Sequence, residues 1–247
     1  MRQRHLPVEG AFNIRDLGGY PTATGGTTAW RRFLRSDSLH RIATTEITRL
    51  HDEGLRLVID LRTENEVQTA PNPFASFADV RFVNLPLFDD LSPQALSQTK
   101  AEDAHPLFSF YMAALTSRGA AICAIMSEIA RHDTGAVLFN CTAGKDRTGI
   151  IAALLLGVAE VPRDQIIADY ALTATLIPDL VEEFLSLSRA RGGDTESYAR
   201  LLESPAPTIA ATLDQIDARY GSVPQYLSHI GLPPQDLAAL RNRLTGR

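Results

Sequence analysis

Five stretches of the chain have the hydrophobic pattern of strands. Phe12 to Leu17 runs into the turn Gly18-Gly19, and Thr28 to Leu34 carries the single tryptophan, Trp30. Leu55 to Leu61 is apolar enough for a strand buried on both faces. Val80 to Pro86 is rich in β-forming residues, and Gly135 to Phe139 is a second short apolar run. Between and after these segments the period becomes helical. Thr45 to Glu53 stops at Gly54, and Thr63-Glu-Asn-Glu66 has the form of a capping box that opens a helix just after Asp60-Leu61. Phe108 to His132 keeps helical periodicity throughout, and Gly149 to Ala159 reads as a buried core helix. Helices are also expected over Arg163 to Thr175, Pro178 to Ala190, Pro207 to Tyr220 and Pro234 to Leu244.

Strands gathered in the first half and helices in the second predict an α/β fold. Its core would be a central, mostly parallel sheet of about four to five strands flanked by helices, followed by a helical C-terminal half. The 247 residues, 45% of them hydrophobic, suit a single domain over 1–247, with the sheet in 12–160 and the helical part in 161–247. Two stretches, Asp89 to Pro106 and Arg189 to Pro207, read as surface loops, and the region 176–207 is a candidate lid.

Charge and cysteine usage narrow the chemistry. A net charge of −5 argues against a nucleic-acid partner. The longest apolar run is well short of the roughly 20 residues a bilayer-spanning helix needs, so no transmembrane segment is expected. The N-terminal residues lack a secretory apolar core, which makes the cytoplasm the default location and leaves export without a standard signal open. Two cysteines, Cys123 and Cys141, suggest free thiols in a reducing compartment. No Cys-x-x-Cys pair and no clustered His or Cys ligands occur, so neither a metal nor another cofactor is expected.

The informative stretch is Asn140-Cys-Thr-Ala-Gly-Lys-Asp-Arg-Thr-Gly149, lying between the apolar strand and the apolar helix. A helix N-terminus offers unpaired N–H groups and partial positive charge, which bind an oxyanion and favour a thiolate. Arg147, closing the loop six residues after Cys141, adds a guanidinium fork suited to phosphate. A nucleotide-binding P-loop does not fit, because Phe139 and Asp146 stand where it needs Gly and Ser or Thr. The combination of thiol, anion cradle and fork points to phosphate-ester chemistry.

Four motifs occur in order: Asn13-Ile-Arg-Asp-Leu-Gly-Gly19, Arg35-Ser-Asp37, Asp60-Leu-Arg62-Thr, and Cys141 to Gly149 with its Gly-Lys-Asp-Arg core. With Tyr226-Leu to Leu237 near the end, they make the chain resemble the bacterial protein tyrosine phosphatases of the secreted mycobacterial type, which also act on phosphoinositides. The resemblance implies a cysteine-phosphatase-like fold and a phosphorylated protein or phosphoinositide as substrate. Members usually carry His before the nucleophile, where this chain has Asn140.

Cys141 would attack phosphorus and form a thiophosphoryl-enzyme. Arg147 and the N–H groups of Thr142, Ala143, Gly144 and Lys145 would hold the equatorial oxygens, and Thr148 would donate its hydroxyl to the sulfur. The resemblance nominates Asp146 as general acid; Asp89 or Asp90, on the loop after the Val80 to Pro86 strand, is the alternative, and Asp60, at a strand end, would order the loop through hydrogen bonds. Lys145, inside the loop, suits a substrate with several phosphates, as in lipid phosphatases that it resembles at this position. Three functions follow: a phosphatase for phosphotyrosine that extends to phosphoserine and phosphothreonine, a phosphatase acting chiefly on phosphoinositides, and a catalytically impaired phosphate-binding module suggested by Asn140. No oligomeric state follows from the sequence.

Overall fold

The computed structural model describes residues 3–88 and 106–247, so 89–105 of the loop expected over Asp89 to Pro106, with the alternative acids Asp89 and Asp90, lie outside the described residues. Five strands form one sheet: β1 (Arg15–Asp16), β2 (Phe33–Ser36), β3 (Leu55–Asp60), β4 (Arg81–Asn84) and β5 (Ala136–Asn140). The order is β1-β2-β5-β3-β4, with β1 antiparallel and the other neighbours parallel. The late strand β5 therefore lies in the middle. This is the α/β fold expected.

Alternation along β5 sends side chains to two cores. Val137 and Phe139 join the larger core formed with the C-terminal helices, and Ala136 and Leu138 join the smaller core on the opposite face. Cys141 continues the first series and packs with the larger core. At the carboxyl edge the parallel strands turn polar in one row, where Ser36 pairs with Asn140, Asn140 with Asp60, and Asp60 with Asn84. Ligands of open α/β sheets bind just beyond such an edge.

Helices α1 (Thr44–Asp52), α2 (Glu64–Thr69), α3 (Pro106–Ser117) and α4 (Gly119–Arg131) precede β5. After it come α5 (Asp146–Val158), α6 (Arg163–Ala171), α7 (Thr173–Leu176), α8 (Pro178–Ala190), α9 (Thr195–Leu202), α10 (Ala206–Tyr220), α11 (Val223–His229) and α12 (Pro234–Thr245). No described helix is by itself long and apolar enough to cross a membrane.

Several boundaries differ from the pattern reading. The strand expected over Phe12 to Leu17 shrinks to two residues, since the N–H groups of Phe12 and Asn13 bond to the Asp37 carboxylate instead of a ladder. The next strand starts later, after Arg31 takes a positive φ of 59° and its N–H donates to Asp16. The long helix over Phe108 to His132 breaks at Arg118, and Gly119 lies so close to Ile230 that a Cβ would come within 3.0 Å. Arg189 to Pro207 is not all loop, because Asp194 caps α9 by accepting from the N–H groups of Glu196 and Ser197.

Candidate active site

The loop between β5 and α5 carries Cys141 at its start, buried at 2% exposure, and Arg147 one residue inside α5. Its carbonyls are tied from outside. Ser38 N–H donates to Thr142 O at 3.1 Å, Asn13 Nδ2 to Ala143 O at 3.0 Å and to Gly144 O at 3.2 Å, and Arg35 Nη2 to Gly144 O at 2.7 Å. In a trans peptide the N–H points opposite to the C=O. Holding these carbonyls outward turns the N–H groups of Ala143, Gly144 and Lys145 to the loop's inner side, as an anion cradle requires. Gly144 has φ +66°, and a Cβ there would meet Asp37 N at 2.5 Å and Ser36 C at 2.6 Å. Only glycine fits both the angle and the contact.

A buried charge cluster stands behind this loop. Arg15 and Arg35 are neighbours in the β1–β2 ladder, and both reach Asp169 on α6, Arg15 Nε to Oδ1 at 3.0 Å and Arg35 Nη1 to Oδ2 at 2.5 Å. Tyr20 donates to the same carboxylate at 2.9 Å. Burial opposes charge on Asp169, but the two guanidiniums outweigh it and hold the carboxyl far below its usual range. Burial and the neighbouring Arg35 in turn lower Arg15 to about 10. Asp37 is buried too, which raises its carboxyl, against the N–H bonds from Asn13 and Phe12.

Arg147 is held by an acid that the sequence reading used only as a helix cap. Glu66 accepts from Arg147 Nη1 at 2.6 Å and Nη2 at 2.8 Å, and from the Thr142 hydroxyl. The same carboxylate accepts from Thr63 N–H at 2.8 Å, completing the capping box of α2. Burial favours the neutral acid, yet the bonds and charge of Arg147, with Thr142 and Thr63, bring the carboxyl down to about 2. The Arg147 guanidinium also lies over the Phe88 ring, 5.9 Å from its centroid.

The remaining expected residues are distributed as follows. Asp146, at the first position of α5, accepts from the Tyr111 hydroxyl at 2.5 Å and lies 3.5 Å from Lys145 Nζ. Lys145 is fully buried, its ammonium donating to the carbonyls of Leu201 and, at 2.9 Å, Glu203 just after α9. Burial lowers its pKa, with Asp146 acting in the opposite sense. Its ammonium thus engages the end of α9. Thr148 is buried with its hydroxyl 3.4 Å from Ser36 O, a weak bond directed at the β2 backbone. Asp60 is enclosed by Arg62, through Nε at 2.9 Å and Nη2 at 2.8 Å, and by Asn72 Nδ2 at 3.0 Å. Asn140 is fully buried and its Oδ1 accepts from Asn72 Nδ2 at 3.4 Å; among the described residues its Nδ2 meets no acceptor.

The candidate lid touches the loop directly. Ile177 and Leu180 at the start of α8 pack with Ala143, alongside Phe12 and Phe184. Arg41, after β2, pairs with Glu183 on α8, Nη1 to Oε2 at 2.6 Å.

A thiol at the carboxyl edge of the central strand, N–H groups at a helix start and a guanidinium beside them meet at one place on a cysteine-phosphatase-like fold. A sequence profile of the tyrosine phosphatase family matches residues 6–246, and the chain belongs to that family. It is 30% identical over 219 residues to a tyrosine-protein phosphatase of Nostoc commune, covering 86% of this chain and 74% of the relative. It is 28% identical over 291 residues to the triple specificity protein phosphatase PtpB of Mycobacterium tuberculosis, with both chains covered fully. The protein is a phosphatase.

Proposed function

We propose that the chain hydrolyses phosphate monoesters, phosphotyrosine first among them, by a metal-independent reaction through a thiophosphoryl-enzyme. The observation that carries this reading is the outward binding of the Thr142, Ala143 and Gly144 carbonyls by Ser38, Asn13 and Arg35. It leaves an inward set of N–H donors beside Cys141 that needs no further group to bind a phosphoryl dianion.

The thiolate of Cys141 attacks phosphorus in line while Arg147 and the loop N–H groups take the equatorial oxygens. Asp146 gives a proton to the departing oxygen. Water then displaces the sulfur, and Asp146 accepts its proton. For a phosphoinositide as the main substrate, Lys145 would have to leave the carbonyls of Leu201 and Glu203. That bonding favours the phosphotyrosine reading. Asn140 lends the impaired-module reading little, since Cys141, Arg147 and the cradle are all in place.

The test is hydrolysis of p-nitrophenyl phosphate, with chelator, by the wild type and by Cys141→Ser. Chelator-resistant turnover that vanishes in the serine variant, with vanadate binding kept, is expected. Turnover surviving the substitution would overturn the mechanism.

A further inference from the structure

Resting on Asp146 as the proton donor proposed above, we infer that Tyr111 is the residue that positions it, through a hydroxyl chain that begins at Tyr170. Three helices meet at this point. Tyr111 on α3 lies 2.5 Å from Asp146 Oδ1, and its oxygen is 2.7 Å from the hydroxyl of Tyr170 on α6. Both phenols are buried, and their rings meet edge-on with centroids 6.2 Å apart. Gly149, one turn into α5, makes room for this. A Cβ there would lie 3.0 Å from Tyr170 Cδ2, so the exit glycine of the loop motif lets the ring lie against the helix.

The direction of the chain follows from its partners. An ionised Asp146 can only accept, so Tyr111 donates to Oδ1, and Tyr170 then donates to Tyr111. Burial keeps both phenols protonated well beyond their ordinary range, which preserves these donors throughout the working pH. Lys145 also approaches Oδ1. With that oxygen taken, the transferable proton sits on Oδ2.

The proton balance is closed. As the bond from Cys141 Sγ to phosphorus forms and the ester P–O bond breaks, the electron pair goes to the leaving oxygen, which takes the Oδ2 proton. In the second step water adds to phosphorus and returns a proton to Oδ2, while the S–P electron pair leaves on the thiolate. Tyr111 keeps its bond to Oδ1 through both steps and exchanges no proton with substrate. A phenol and an ammonium at one oxygen restrict rotation of the carboxyl, and positioning of that kind governs the efficiency of proton transfer.

The experiment compares Tyr111→Phe, Asp146→Asn and the double variant on p-nitrophenyl phosphate and on an alkyl phosphate, whose leaving group needs the proton. Tyr111→Phe should lower kcat/KM on the alkyl ester by on the order of tenfold and leave kcat/KM on the nitrophenyl ester almost untouched, because that ratio reports only the steps through phosphorylation of the thiol. In the Asp146→Asn background it should have no further effect. Vanadate binding by Tyr111→Phe should match the wild type. Equal losses of kcat/KM on both esters, an additive loss in the double variant, or lost vanadate binding would each overturn the inference. If Asp146→Asn itself shows no dependence on the leaving group, the acid assignment falls and this inference with it. If Asp146→Asn shows that dependence and Tyr111→Phe does not, only the positioning role of Tyr111 falls.

Discussion

Glu66 holds the guanidinium of Arg147 with both carboxylate oxygens while the same carboxylate closes the N-cap of α2. The arginine proposed to hold phosphate is thus oriented by a helix that begins directly after β3. The link makes the arginine's position part of the fold and not only a property of its own rotamer.

The pair has a pH signature. The Glu66 carboxyl is lowered from 4.5 to about 2 in the folded protein, so its contribution is fully present above the unfolded value and is lost as pH falls through the folded one. Allowing for partial exposure of the pair, that is about 2 kcal/mol. Wild-type melting temperature should therefore drop between pH 4.5 and about 2 more steeply than that of Glu66→Gln. Parallel curves from calorimetry would show that the pair contributes nothing. At neutral pH the Gln variant should also bind vanadate more weakly.

Asp169 neutralises two buried arginines at once. In Asp169→Asn, Arg15 and Arg35 would remain buried side by side with no ion-pair partner among the described residues, at a cost of about 3–5 kcal/mol. Urea denaturation should show the loss directly. Because Arg35 also holds Gly144 O, activity should fall by more than stability alone explains.

Gly144→Ala should fold and fail to bind oxyanions. Its Cβ would push into the Ser36–Asp37 backbone at 2.5 to 2.6 Å, and the φ of +66° disfavours any side chain. Titration calorimetry with vanadate measures the effect. Unaltered affinity would mean that the cradle does not depend on this approach.

Lys145→Met should loosen α9 from the loop. The carbonyls of Leu201 and Glu203 lose their donor, so hydrogen exchange across 195–202 should speed up. Activity on phosphotyrosine and on phosphoinositides should fall in parallel. A selective fall on inositides would instead show that the ammonium turns to the substrate during turnover.

The sheet strands Leu55–Asp60 and Ala136–Asn140 were legible because a strand buried on both faces has to be apolar along its length, and little else in a soluble chain is. The loop motif was legible because thiol, glycine and arginine have to sit at fixed spacing for their geometry to close. Short helices such as Val223–His229 and Thr195–Leu202 carry too few turns to show a period, and their caps are local. Asn13, Arg15 and Arg35 stood in recognisable motifs but had no assigned task, since their partners lie more than 100 residues away.

Local chemistry along the chain was thus sufficient for the fold class and for singling out the 140–149 loop, because periodicity and spacing are properties of neighbours. The partner of each charged group was not. Glu66 serves Arg147, Asp169 serves Arg15 and Arg35, and Lys145 bonds to the end of α9. Burying a charge is tolerable only where an opposite charge or several dipoles converge on it, and which groups converge is settled when distant segments pack against one sheet.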